Sequence, residues 1–207
     1  MCAMAKSSVA KAPKEKLSSL VADIRACRIC EAKLSHPPRP VLRLSKSARL
    51  CIAGQAPGIR VHNTGIPYND PSGERLRDWL GIGRDVFYDE TRVAIVPMGF
   101  CFPSYDEAGA DKPPLPECSR TWHDRLFAAA PEFPLVLVIG TYAQRYHLRD
   151  RVKPTMTETV KAWRDYGPRH VPLPHPSWRN NAWLKNNPWF EQELLPYLRS
   201  RVQAALS

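Results

Sequence analysis

The chain has 207 residues, 43% of them hydrophobic, which is ample for one packed domain and short for two. Thirty Lys and Arg against twenty Asp and Glu leave a net charge of +10, which favours a polyanionic partner, DNA or RNA, over an anionic membrane face. No apolar run approaches the ~20 residues of a spanning helix and the N-terminus lacks the apolar core of a secretory signal, so the expectation is a cytoplasmic monomer, nucleoid-associated in a prokaryotic cell.

Residues 1–14 carry Ala, Ser, Lys and Pro without periodicity and read as a disordered basic tail; residues 15–207 form a single domain. From Glu15 onward, Leu17, Leu20, Val21 and Ile24 recur at helical spacing, which predicts a helix running into Cys27. Glu31 to Ser47 reads as loop and edge structure. Arg49 to Ala53 is the first core strand. A loop rich in Pro, Gly and Asn runs to Ser72, where Ser72-Gly73-Glu74 opens a helix with Leu76, Trp79 and Leu80 on one face and a stop at Gly81. Arg92 to Val96 is the second strand, Phe100 to Pro116 a long proline-rich loop, and Glu117 to Ala129 a helix. Leu135 to Ile139 is the most apolar strand, after which Thr141 is the expected N-cap of another helix. A helix over Thr157 to Trp163, a strand over His170 to Leu173 and a closing helix over Pro188 to Ala205 complete the chain. Strands alternating with helices predict an α/β fold, a three-layer α/β/α sandwich around a mainly parallel four-stranded sheet.

Two segments sit directly after apolar runs: Gly54-Gln55-Ala56-Pro57-Gly58 and His175-Pro176-Ser177. Open α/β sheets place ligands at such strand ends. A Gly/Pro-rich turn lets backbone N–H groups approach a flat polar ligand, and a histidine adds a donor or acceptor near neutral pH. Together they predict a pocket for a small planar molecule.

Cys27-Arg28-Ile29-Cys30 is a C-x-x-C pair, and Cys101 and Cys118 flank the proline-rich loop. Their spacing leaves three readings open: an iron–sulfur cluster on four thiolates, a zinc site, or small buried hydrophobes with no metal. Zinc sites usually draw on two close knuckles, and Cys101/Cys118 is not one. Cys51, inside a strand, and Cys2 read as structural or incidental.

The order Cys27-x-x-Cys30, Gly54 to Gly58, Gly65-Ile66-Pro67-Tyr68, Cys101, Cys118, His175-Pro176-Ser177 resembles the uracil-DNA glycosylase superfamily, closest to its iron–sulfur, family 4-like branch, over about residues 17 to 200. The resemblance implies a DNA glycosylase of base excision repair, a hydrolase that cuts the N-glycosidic bond of uracil or another deaminated base in DNA. It implies Tyr68 as the aromatic that stacks on the extruded base, Gly54 and Gln55 as the turn lining base and water, and His175 as the donor to the departing base. It also implies Cys27, Cys30, Cys101 and Cys118 as ligands of a 4Fe-4S cluster. Ser177, Trp178, Arg179 and Asn180 match the intercalating loop that grips DNA, with Trp178 or Arg179 as the wedge.

The chain departs from that pattern twice. The iron–sulfur branch carries an acidic residue in or just after the first motif to position water; here Gln55, Asn63 and His62 are the polar candidates and Asp70 is the nearest carboxylate. The branch also reads uracil with an Asn four residues before the third cysteine, where this chain has Pro97, which has no amide. A broader range of damaged bases is therefore expected. Two other classes stay open: a damaged-DNA-binding protein of the same fold with weak or no chemistry, and an iron–sulfur redox or sensor protein.

Overall fold

A computed structural model describes residues 15–207. The expected tail, residues 1–14, lies outside the described residues. Four strands, β1 (Leu50–Ala53), β2 (Val93–Ile95), β3 (Leu135–Ile139) and β4 (His170–Leu173), form one sheet in the order β2-β1-β3-β4. Every pairing is parallel, with Ile52 opposite both Ile95 and Leu137, and Leu137 opposite Val171. β1, β2 and β3 are buried along their whole length, as a parallel sheet covered on both faces requires.

The period of two along the strands sorts the core into two halves. Leu50 and Ile52 of β1, with Leu137 and Val171, pack on Trp79, Phe190 and Leu198. Cys51 and Ala53 face the other way, with Val136 and Val138, onto Leu20, Ile24, Leu126 and Ala143. The result is the three-layer α/β/α sandwich, with α1 (Leu17–Arg25), α6 (Asp124–Ala129) and α7 (Gly140–Leu148) on one face. On the other lie α3 (Pro71–Leu80), α8 (Met156–Lys161) and α10 (Leu195–Leu206).

Several elements differ from the sequence-based expectation. The loop after β1 contains a helix, α2 (Ile59–Thr64), which ends at Gly65 in the left-handed region. It has six residues and buries only Val61, so no periodicity marks it. The same holds for α4 (Arg84–Tyr88), which buries only Phe87, and for α9 (Asn181–Asn186), which buries none. The helix expected from Glu117 begins as α5 (Pro116–Cys118), widens into a π segment (Ser119–His123) and continues as α6. Thr141 is not a cap, because α7 already starts at Gly140. The cap of α8 is Thr155, in a reciprocal capping box with Glu158. The closing helix opens with a second π segment, Phe190–Leu194.

Candidate active site

The carboxyl ends of the strands meet one cleft of about 630 Å³, lined by Gly54 to Gly58 after β1, Pro97 after β2 and His175 to Asn180 after β4. The β1/β2 pairing runs on past both strands: Val96 N–H donates to Ile52 O, Met98 N–H to Gly54 O and Gly99 N–H to Gln55 O, each at 2.9 Å. The first motif is therefore an extension of the sheet rather than a free loop.

Tyr68 enters the cleft on a backbone with φ +53°, a conformation that an L side chain rarely holds without help. The help is local. Tyr88 Oη donates to Pro67 O at 3.1 Å and reaches Tyr68 O at 3.2 Å, while Arg77 Nη1 reaches Tyr68 O at 3.4 Å. A Cβ on Gly73 would run into that same carbonyl, so the first turn of α3 must be glycine there. The Tyr68 ring packs edge-on to Phe87, centroids 6.0 Å apart, and burial pushes its phenol well above the ordinary range.

Its hydroxyl hangs over the first motif: a Cβ built on Gly54 would lie 2.5 Å from Tyr68 Oη and 3.5 Å from Cζ. Gly54→Ala is accordingly expected to displace the ring and lower kcat/KM about tenfold, a cost of about 1.4 kcal/mol in transition-state stabilisation. Adding Tyr68→Phe removes the clashing oxygen. Steady-state base release by the double variant should recover most of the loss, and no recovery would show that the ring is not what Gly54 accommodates.

His175 follows β4, where Asn180 Nδ2 donates to its carbonyl at 2.6 Å and Arg75 Nη1 donates to Ser177 O at 3.0 Å. Burial holds the imidazole below its ordinary pKa, against the opposing charges of Asp70 and Asp111. The ring is thus neutral at neutral pH. Trp178 projects from the rim with 72% of its surface exposed, and the Arg179 guanidinium lies 5.7 Å from its ring centroid. Trp183 and Trp189 instead pack edge-on to Phe190, as sequence position suggests for the closing helix.

Two candidates for water positioning are not brought here. His62 and Asn63 sit on α2 outside the cleft lining. Their carbonyls accept from Arg39 Nη1 at 2.8 and 2.7 Å, the His62 ring faces His36 at 5.2 Å, and Asn63 is exposed. Gln55 does line the cleft, together with Asp70 and Asp111. Asp70 caps α3, its Oδ1 accepting from Gly73 N–H at 2.8 Å. Its charge acts on both Tyr68 and His175, raising the pKa of each. Asp111 comes from the proline-rich loop, and no local pattern marks it.

Cys27, Cys30, Cys101 and Cys118 line a separate apolar cavity with Leu34, Pro38 and Leu115. All four thiols are free, and burial pushes Cys101 up to about 11 and Cys118 up to about 12. The backbone of Arg39 beside Cys101 and of Phe100 beside Cys118 opposes that rise and favours the thiolates. Among the described residues, no three His, Cys, Asp or Glu side chains form a group that would hold a single metal ion. Cys51 is fully buried in β1 and acts as a small hydrophobe.

A parallel α/β sandwich with a polar cleft at the carboxyl ends of its strands, walled by a strained aromatic and a half-buried histidine, defines the architecture of an α/β enzyme. The family model described as the uracil DNA glycosylase superfamily matches residues 43–199, and the chain belongs to that superfamily. The match contains both strand-end motifs and Tyr68, and begins after Cys27 and Cys30. Among the described residues no helix is long and apolar enough to cross a membrane.

Proposed function

We propose that this protein is a DNA glycosylase that hydrolyses the N-glycosidic bond of uracil and other deaminated bases. The observation that carries the reading is the convergence of Tyr68 and His175, far apart in sequence, on one cleft that Gly54 and Gln55 also line. An extruded base in this cleft stacks on the Tyr68 ring. The neutral His175 ring donates a hydrogen bond to the base as it departs with negative charge. The sugar is left with positive charge, which the Asp70 carboxylate stabilises. A carboxylate accepts through both oxygens, so the cap bond to Gly73 leaves Asp70 capacity to orient the attacking water. Pro97 offers the base no side-chain amide, which supports selectivity broader than uracil alone. Exposed Trp178 is the wedge that fills the vacated stack, with Arg75, Lys112 and Arg179 near the phosphates.

The four cysteines suit a 4Fe-4S cluster: soft donors that line one apolar cavity, with neighbouring backbone that favours two of the thiolates. Zinc is the alternative occupant of the same sulfurs, although its sites usually draw on two close knuckles and Cys101/Cys118 is not one. When bound, such a cluster ties the segment after α1 to the loop after β2 and to α5.

Release of base from oligonucleotides containing uracil, hypoxanthine or xanthine tests the reading directly. Comparable rates on the three are expected, with visible absorption that Cys27→Ser abolishes. Strict uracil selectivity sinks the broad range, a colourless active protein sinks the cluster, and tight binding to damaged DNA without any release makes the protein a binding module.

A further inference from the structure

His123 is completely buried and belongs neither to the cleft nor to the cysteine cavity, yet it touches the wall of each. Its Nδ1 lies 3.1 Å from the carbonyl oxygen of Cys118 and its Nε2 3.1 Å from that of Pro97. The ring is stacked on Phe100, 15° from parallel with centroids 5.1 Å apart. The π segment Ser119–His123 ends on this residue, and such widened turns concentrate at functional sites. Here the turn folds the ring back over the carbonyl of Cys118.

Pro97 heads the stretch that carries the β1/β2 pairing into the first motif through Met98 and Gly99. Proline has no N–H to join that ladder, and on its carbonyl side Pro97 meets His123 Nε2. A pocket residue whose carbonyl rests on a buried ring is well placed to decide which base edges fit, because a shift of about 1 Å in a site is enough to change rates.

We propose that His123 is a positioning residue that sets base selectivity: set between the Cys118 and Pro97 carbonyls and donating its one N–H to that of Pro97, it holds Pro97 on the cleft and with it the pairing of Met98 and Gly99 onto Gly54 and Gln55. The proposal rests on the glycosylase reading for its substrate and on the hydrogen bonds above for its geometry. His123→Phe keeps a ring against Phe100 and removes its N–H donor, while His123→Gln keeps a side-chain donor able to reach one carbonyl.

The test compares base release over the uracil, hypoxanthine and xanthine panel with amide exchange at Met98 and Gly99. In His123→Phe, the ratio between the best and the next substrate is expected to shift about three- to tenfold, the effect of one lost hydrogen bond, at unchanged duplex affinity. The Met98 and Gly99 amides should lose protection while those of β3 keep theirs, and His123→Gln should recover part of both effects. Unchanged ratios in an active variant, or an equal loss on every base, overturn the proposal. Should His123→Phe fail to fold, the Gln variant is compared with wild type by the same criteria. A wild-type protein that releases no base sinks the glycosylase reading instead, and unaltered exchange at Met98 and Gly99 then overturns the positioning role.

Discussion

His175→Ala is expected to slow base release by roughly 10²- to 10³-fold, the usual cost of removing one donor aimed at a developing anion. The loss should fall on kcat rather than KM, because the bond forms as charge develops on the leaving base. The pH profile carries a second check. Burial holds the His175 pKa below its ordinary value of 6.5, so the neutral ring already dominates at pH 6.5 and above. If the neutral ring is the working form, kcat is flat through pH 6.5 to 8 and declines only as pH falls through the depressed pKa. A rate that instead dropped steadily as pH rose through 6 to 7 would identify the imidazolium as the donor. Full activity in His175→Ala would remove the residue from the chemistry.

Asp70→Asn should lower kcat by roughly 10²-fold with little change in thermal stability. The substitution separates two functions of one side chain. Asn is as good an N-cap as Asp, so the bond to Gly73 N–H and the start of α3 survive, whereas the negative charge beside the developing sugar cation does not. Asp70→Ala loses the cap as well and should cost about 1 kcal/mol of stability in addition. Because the Asp70 charge raises the His175 pKa, its removal should also move the acid limb of the kcat profile to lower pH. Wild-type kcat in Asp70→Asn would reduce Asp70 to a helix cap. In that event Asp111, the other carboxylate on the cleft, is the next candidate.

The two carboxylates also mark where sequence reading stops. Asp70 is close in sequence to Tyr68, and its reach to His175 is visible only once β1 and β4 stand in one sheet. Asp111 belongs to a loop with no periodicity at all, and enters the cleft because that loop folds back over the strand ends. Conversely, His62 and Asn63 sit in the right stretch of chain and face elsewhere. The six residues of α2 turn them away, and Arg39 fastens their carbonyls. Nothing in the run from Ile59 to Thr64 announces a helix, since only one of its residues is buried.

What could be read in one dimension was whatever repeats over a few residues. The strands at Leu50–Ala53 and Leu135–Ile139 are legible because a parallel strand buried on both faces is a continuous apolar run, and His170–Leu173 because only its first residue departs from one. Gly54 and His175 follow from them, since a strand end is a local event. The left-handed turn at Tyr68, the bridge of His123 between Cys118 and Pro97, and the gathering of four cysteines around one cavity depend on contacts between distant segments. Those contacts form only when the sheet brings the loops together. Burial pattern encodes the scaffold residue by residue, whereas the chemistry of the cleft is a property of loop paths that no short stretch of sequence contains.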